Sequence, residues 1–296
     1  MKQFLFQSFR RTVAFISGRG LSLSKIPIVE ALYERVYWAL RPHGVVLLSV
    51  HGSKMYYDTN LKGPLYSLVT MGTYERYETE VFQSMLRLGM TVVDIGANVG
   101  YYALLAARGV GAEGRVFAFE PDPRTYELMS KSVEANGYRN ILVFRKALAD
   151  RTGTLWLYAD ALNAGNSTLA RENVQSLLDT YEVEIQPLDA FLEENAGGHK
   201  VDLIKMDVQG AEGLVLKGAT RLLREGGSLK IMMEFEPEKL AAMGTNPSGL
   251  LQELVGYGFR IHLIDADARS CRALSLAEIE DLSRLQGYAN LLLERD

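Results

Sequence analysis

Thr91-Val92-Val93-Asp94-Ile95-Gly96-Ala97-Asn98-Val99-Gly100-Tyr101-Tyr102 decides the fold. The apolar run Thr91–Ile95 reads as a buried parallel strand. The glycines make a tight turn, and residues 101–107 begin a helix. Strand, turn and helix in that order open a doubly wound α/β domain, whose ligands lie beyond the carboxyl ends of the strands. A dinucleotide fingerprint needs Gly-x-Gly-x-x-Gly, so that a pyrophosphate can approach the backbone and the helix N-terminus. Here those positions hold Gly96, Asn98 and Tyr101. An acidic strand end, Asp94, is a poor neighbour for phosphate and a good one for an ammonium group. S-adenosylmethionine carries an amino group and a sulfonium and no phosphate. We therefore read Asp94, Gly96, Asn98 and Gly100 as its cradle, with the two glycines permitting close backbone approach.

The second anchor is Arg115-Val116-Phe117-Ala118-Phe119-Glu120-Pro121-Asp122-Pro123. It is the next buried strand, and Glu120 falls where a doubly wound sheet places the carboxylate that grips ribose hydroxyls. Pro121 borders that ligand, and Pro121 and Pro123 together fix the turn and start a helix. A third strand over residues 140–144 leads to Lys146-Ala147-Leu148-Ala149-Asp150. Ala147 then lies near the adenine. Asp150 either accepts from the adenine amino group or serves as a turn residue before Gly153.

Composition bounds the rest. A chain of 296 residues with 48% hydrophobic content suffices for one large α/β core and an N-terminal extension. The net charge of −4 gives nucleic acid no global electrostatic support. The single cysteine, Cys271, excludes an internal disulfide and a cysteine metal cluster. No apolar run reaches membrane-spanning length, and the N-terminus lacks a signal-peptide core. The expectation is a soluble, cytoplasmic protein.

Residues 1–44 carry seven basic side chains against Glu30 and Glu34. Phe4, Leu5, Phe9, Val13 and Ile16 share a helical face, and a second helix is expected over residues 28–40. The segment is either a helical cap on the domain or a basic amphipathic anchor giving peripheral membrane contact. We divide the chain into an extension, residues 1–60, and a ligand-binding domain, residues 61–296. A strand pair is expected at residues 45–50 and 55–57. Tyr74 and Glu75, at the start of the helix that precedes Thr91, either line the ligand mouth or form a solvated helix start.

Residues 151–200 are too long for a simple connection. Strands at 154–158 and 182–185 predict a hairpin. Between them Asn163-Ala164-Gly165-Asn166-Ser167-Thr168 makes an acceptor-binding loop or a plain connection, with Asn166 and Ser167 as its substrate-facing candidates. The fourth strand and its exit read Val201-Asp202-Leu203-Ile204-Lys205-Met206-Asp207-Val208-Gln209-Gly210-Ala211-Glu212. Lys205 and Asp207 share one strand face. A lysine in a buried strand is costly unless paired, and Asp207 or Glu212 is its natural partner. Glu234 closes the fifth strand beside them. Residues 213–223, 248–256 and 276–285 predict helices; 259–264 and 289–293 predict strands, the last one an antiparallel insertion at the sheet edge. The expected form is a seven-stranded Rossmann-like sheet of the class I methyltransferase type, with a helical N-terminal extension.

Over residues 74–237 the chain resembles the FkbM family of S-adenosylmethionine-dependent methyltransferases. The resemblance rests on residues 93–100, Phe119-Glu120-Pro121, Lys146-Ala147-Leu148, Leu188-Asp189, and residues 202–212 joined to Glu234-Phe235. It implies O-methylation of a hydroxyl on a sugar, glycan or secondary metabolite. Methyl transfer from a sulfonium is an in-line displacement, in which the enzyme supplies alignment and takes the hydroxyl proton. None of His43, His51, His199 and His262 is placed to do so. Asp207 is the expected base or acceptor-orienting group and also borders the cofactor; Lys205 positions it, Glu234 assists, and Glu212 contacts substrate. Two rivals share the fold. One is a metal-assisted O-methyltransferase with Mg²⁺ on the paired carboxylates, for which no third oxygen ligand is evident. The other is a non-catalytic S-adenosylmethionine-binding module. A nicotinamide dehydrogenase is disfavoured by Asn98 and Tyr101. The acceptor and the oligomeric state are not legible.

Overall fold

The computed structural model describes residues 5–6, 8–9, 11–13, 27–61, 66–72, 74–161, 163–225 and 227–296. Of the expected N-terminal apolar face, Phe4 and Ile16 lie outside those residues; Val13 is buried and Leu5 exposed. Helix α1, Pro27–Leu40, precedes the hairpin β1, Val45–Val50, and β2, Ser53–Asp58. Helix α2 spans Tyr66–Met71 and α3 spans Arg76–Met85. Then β3, Thr91–Ile95, leads into α4, Tyr101–Val110, and β4, Arg115–Phe119, into α5, Pro123–Asn136. Asp122 caps α5 by accepting from the Arg124 amide, and Pro123 stands in its first turn, where a missing N–H costs nothing.

The remaining strands are β5, Ile141–Phe144; β6, Ala147–Leu148; β7, Gly153–Asp160; β8, Leu177–Gln186; β9, Leu203–Met206; β10, Leu229–Phe235; β11, Arg260–Asp265; β12, Ser270–Ala273; and β13, Ala289–Arg295. The main sheet runs β12-β11-β13-β10-β9-β3-β4-β5. Its parallel heart is β10-β9-β3-β4-β5, and β13 is antiparallel as expected but lies between β10 and β11 instead of at the edge, because β11 pairs along its outer side. All seven expected strands are present in methyltransferase order. The eighth, β12, is an edge strand folded back on β11 after a left-handed turn at Arg269 (φ 49°). Cys271, Arg272 and Ala273 are exposed, so no buried pattern marks β12 in the sequence.

The sheet separates two apolar layers. Tyr37, Met55, Phe82, Leu104 and Met129 pack on one face; Phe117, Phe191, Met206, Ile231 and Leu251 pack on the other. At ~25 cal/mol per Å² of apolar surface, this burial is the main term holding the sheet. The β1–β2 hairpin joins the first layer and is stitched to α5. Lys54 N–H donates to Asn136 Oδ1 (2.8 Å), Asn136 Nδ2 donates to the Lys54 carbonyl (2.6 Å), and Tyr56 N–H donates to Ser132 Oγ (2.9 Å). The expected hairpin within 151–200 is β7–β8, extended by β6 into a separate three-stranded sheet. The helix expected over 213–223 is instead two, Glu212–Lys217 and Thr220–Glu225. Gly218, between them, packs against the backbone carbonyl of Ala149, where any side chain would overlap it.

Candidate active site

A cavity opens at the carboxyl ends of β3, β4 and β9. Gly96, Asn98, Glu120, Pro121, Ala147 and Asp207 all line it, as does Ser167 from the 163–168 loop. Phe119, Leu148, Leu157 and Leu169 give it apolar walls. The cavity thus offers apolar walls next to a carboxylate, the environment a nucleoside needs.

The turn that forms its floor is fully committed to internal hydrogen bonds. Gly96 and Ala97 N–H both donate to the Phe119 carbonyl (3.0 and 2.9 Å). Asn98 N–H donates to Glu120 Oε2 (2.7 Å), Val99 N–H to Asn98 Oδ1 (2.8 Å), and Gly100 N–H to the Ala97 carbonyl (2.8 Å). No amide of this turn remains for a phosphate. Glu120 is 6% exposed and also accepts from Asp122 N–H (2.8 Å). Burial, with Asp122 nearby, pushes its carboxyl up to about 8, against the pull of those amides. Each carboxylate oxygen keeps a second lone pair, so ribose hydroxyls can still be received.

The two glycines are also required by packing within the protein. A β-carbon on Gly96 (φ 78°) would overlap the Asp207 carbonyl oxygen, because Asp207 N–H bonds the Ile95 carbonyl (3.0 Å) and holds β9's exit against the turn. Gly100 (φ 90°) is outside the cavity lining; its β-carbon would stand 2.8 Å from Met129 Cγ. It lets α4 pack on α5.

Behind the cavity lies a buried ionic cluster. Asp94 pairs in register with Lys205, and each is almost wholly buried. Asp94 Oδ2 has no hydrogen-bond partner among the described residues, and burial moves its carboxyl up to about 7, partly offset by Lys205. Burial presses the Lys205 ammonium down, but Asp207, Glu75, Asp94 and Glu234 more than offset this, and the net direction is up. Gln209 Nε2 ties two of these together, donating to Asp207 Oδ1 (2.6 Å) and Glu234 Oε1 (3.2 Å). Its Oε1 accepts from Lys239 Nζ (2.6 Å), which also pairs with Glu236 (2.7 Å). Burial and the neighbouring Asp207 raise Glu234 to about 8.

Three left-handed non-glycine residues border the site: Glu75 (φ 42°), Asn98 (φ 52°) and Gln209 (φ 54°). Such conformations gather where the chain must aim a side chain or backbone group at a ligand.

Three expected residues sit elsewhere. Asp150 is exposed, paired to Arg151 (2.9 Å) and absent from the cavity wall, so it is the turn residue of the two alternatives. Asn166 turns inward on its own loop, accepting from Asn163 Nδ2 (2.9 Å). Glu212 is 2% exposed, and its oxygens accept from the amides of Val208 (3.1 Å) and Gly210 (3.0 Å). It shapes the loop that presents Asp207, where a substrate contact was expected. Burial lifts its carboxyl to about 7.

Three residues outside the expected set join the cluster. Gln209 and Lys239 organise the carboxylates, and Tyr102 OH donates to Glu75 Oε2 (2.9 Å). Gln209 stands in the quoted Asp207-Val208-Gln209-Gly210 run, where a polar side chain beside two acids was the available signal. Glu75 was legible only as an undecided helix start. Nothing in the sequence marks Lys239.

Residues 94–261 match the model described as the methyltransferase FkbM domain. The chain is 30% identical over 154 residues to methyltransferase sdnD of Sordaria araneosa, covering 43% of this chain and 59% of that protein. It is 28% identical over 145 residues to 2-O-methyltransferase NoeI of Sinorhizobium fredii, covering 45% of this chain and 58% of that one. The chain thus spans under two thirds of the length of these relatives. Among solved structures, a SAM dependent methyltransferase from Aquifex aeolicus aligns over 79% of this chain and 98% of its own, at 15% identity and a TM-score of 0.40.

Proposed function

Because the chain belongs to the FkbM methyltransferase family, we propose that it methylates a hydroxyl of a sugar, glycan or secondary metabolite with S-adenosylmethionine as donor. The observation that carries the choice of donor is the Gly96–Gly100 turn, whose amides are all bonded within the protein. A dinucleotide has no phosphate seat there.

The residues present fit S-adenosylmethionine. Asp94 Oδ2 is a buried acceptor without a partner, a state that costs about 1–3 kcal/mol and that a ligand ammonium relieves. Glu120 receives the ribose, and Ala147, Pro121 and Leu148 flank the base. The donor supplies an electrophilic methyl group bound to a good leaving thioether.

Asp207 belongs to both halves of the site: it lines the cavity and faces the Lys205 cluster. Bound there, the donor would give its methyl to the acceptor oxygen and keep the carbon–sulfur electron pair on the departing thioether. Asp207 takes the hydroxyl proton, Gln209 fixes Asp207, and Lys205 stabilises negative charge on the oxygen. Glu234, which burial and the neighbouring Asp207 raise to about 8, stands beside Asp207 and shares its Gln209 donor. Lys205 supplies the positive charge a metal would otherwise bring. The test is transfer of a labelled methyl from S-adenosylmethionine to a sugar hydroxyl in the presence of a chelator. Label in an ether product supports the reading; label found only with added Mg²⁺ replaces it with the metal-assisted form.

A further inference from the structure

Lys205 is 4% exposed, and among the described residues its ammonium makes no hydrogen bond within 3.5 Å and no ion pair within 4.0 Å. The Tyr102 ring centroid is 5.0 Å away. Asp207, Glu75, Asp94 and Glu234 surround the charge, and none closes to ion-pair distance. A buried ammonium with unfilled donors, ringed by carboxylates held slightly back, is complementary to a ligand oxygen that accepts from the lysine while its neighbours donate to the carboxylates.

Two carboxylates flank Lys205 from different elements. Asp207 comes from the exit of β9 and is fixed by Gln209. Glu75 comes from the start of α3, in a left-handed conformation, with Tyr102 OH on its Oε2. Asn290 Nδ2 donates to Glu78 Oε1 (3.2 Å), tying the same helix to β13. Tyr288, just before β13, is 60% exposed and sits in the field of Glu234, Glu75, Glu78 and Asp207. It offers an open aromatic face at the rim.

We propose that Glu75 is an acceptor-binding carboxylate, receiving a hydrogen bond from the hydroxyl adjacent to the one methylated, so that the acceptor is an uncharged vicinal diol. This rests on the methyltransferase reading above. Lys205 donates to the reacting oxygen, Asp207 takes its proton, and Glu75 holds the neighbour. An acceptor carrying a carboxylate at the neighbouring position would meet the carboxyls of Glu75, Asp207 and Glu234, more acids than the cations Lys205 and Lys239 beside them.

The experiment uses the full chain, methyl-labelled S-adenosylmethionine and three probes: cyclohexane-1,2-diol, cyclohexanol and 2-hydroxycyclohexanecarboxylate. The diol takes label with kcat/KM about tenfold or more above either comparator, the loss expected for one hydrogen bond to a charged group. Glu75→Gln raises KM for the diol about tenfold with a smaller change in kcat. Tyr102→Phe, which removes the hydroxyl that holds Glu75 and leaves the carboxyl in place, moves KM the same way, and calorimetry with S-adenosylmethionine verifies that each variant is folded. Donor binding with no diol preference, including no label in any probe, overturns the role of Glu75 and leaves the cofactor reading standing. Absence of donor binding by the wild type overturns both.

Discussion

The backbone of Asp207 occupies the space that a side chain on Gly96 would need. This contact joins the exit of β9 to the turn after β3, and so fixes the proposed base against the floor of the cofactor cavity. Gly96 also has φ 78°, which an L side chain rarely adopts. Gly96→Ala is therefore expected to displace Asp207 and to destabilise the protein by about 1–3 kcal/mol or more. Denaturant melts with parallel donor titration check this; a variant as stable as the wild type with unchanged donor affinity contradicts it.

Four buried carboxyls give the protein a directional pH response. Burial raises Asp94 and Glu212 to about 7 and Glu120 and Glu234 to about 8. The native state therefore keeps protons that the unfolded chain has released at its ordinary carboxylate values. Unfolding releases protons in that window, so stability is greatest near the unfolded pKa and falls as pH rises from about 5 to about 8. Thermal melts across this range should show a falling Tm. A flat or rising Tm would place these groups as ionised in the folded protein.

Much of this was legible because buried parallel strands announce themselves. Thr91–Ile95 and Arg115–Phe119 are short apolar runs that carry or lead into acids, and the strands themselves and the Gly96, Asn98 and Glu120 positions in the cavity follow from them. The misread residues have local causes. Asp150 and Glu212 are acids near strand ends, and sequence alone does not say whether such an acid faces a cavity or its own turn's amides. Gly100 packs on Met129, which is distant in sequence, so that contact is not legible in the turn itself. β12 was missed because an exposed edge strand carries no hydrophobic alternation. Glu75 and Lys239 reach the cluster from separate elements, so only the fold brings them to Lys205 and Gln209.

Asp207→Asn keeps the size of the side chain and an oxygen for Gln209, while removing the base. Turnover is expected to fall about 10²–10⁴-fold, with donor affinity within a few-fold of wild type. Single-turnover methyl transfer and calorimetry separate the two. Undiminished turnover would take Asp207 out of the chemistry; loss of donor binding alone would make it a cofactor ligand.

The most direct test of the account is a calorimetric titration of the purified chain with S-adenosylmethionine and, separately, with NAD. The account predicts saturable binding of S-adenosylmethionine, weakened about tenfold or more by Glu120→Gln. It also predicts net proton release near pH 6.5 as the Asp94 carboxyl, raised to about 7, gives up its proton to meet the ligand ammonium. NAD binding with no response to millimolar S-adenosylmethionine would contradict it.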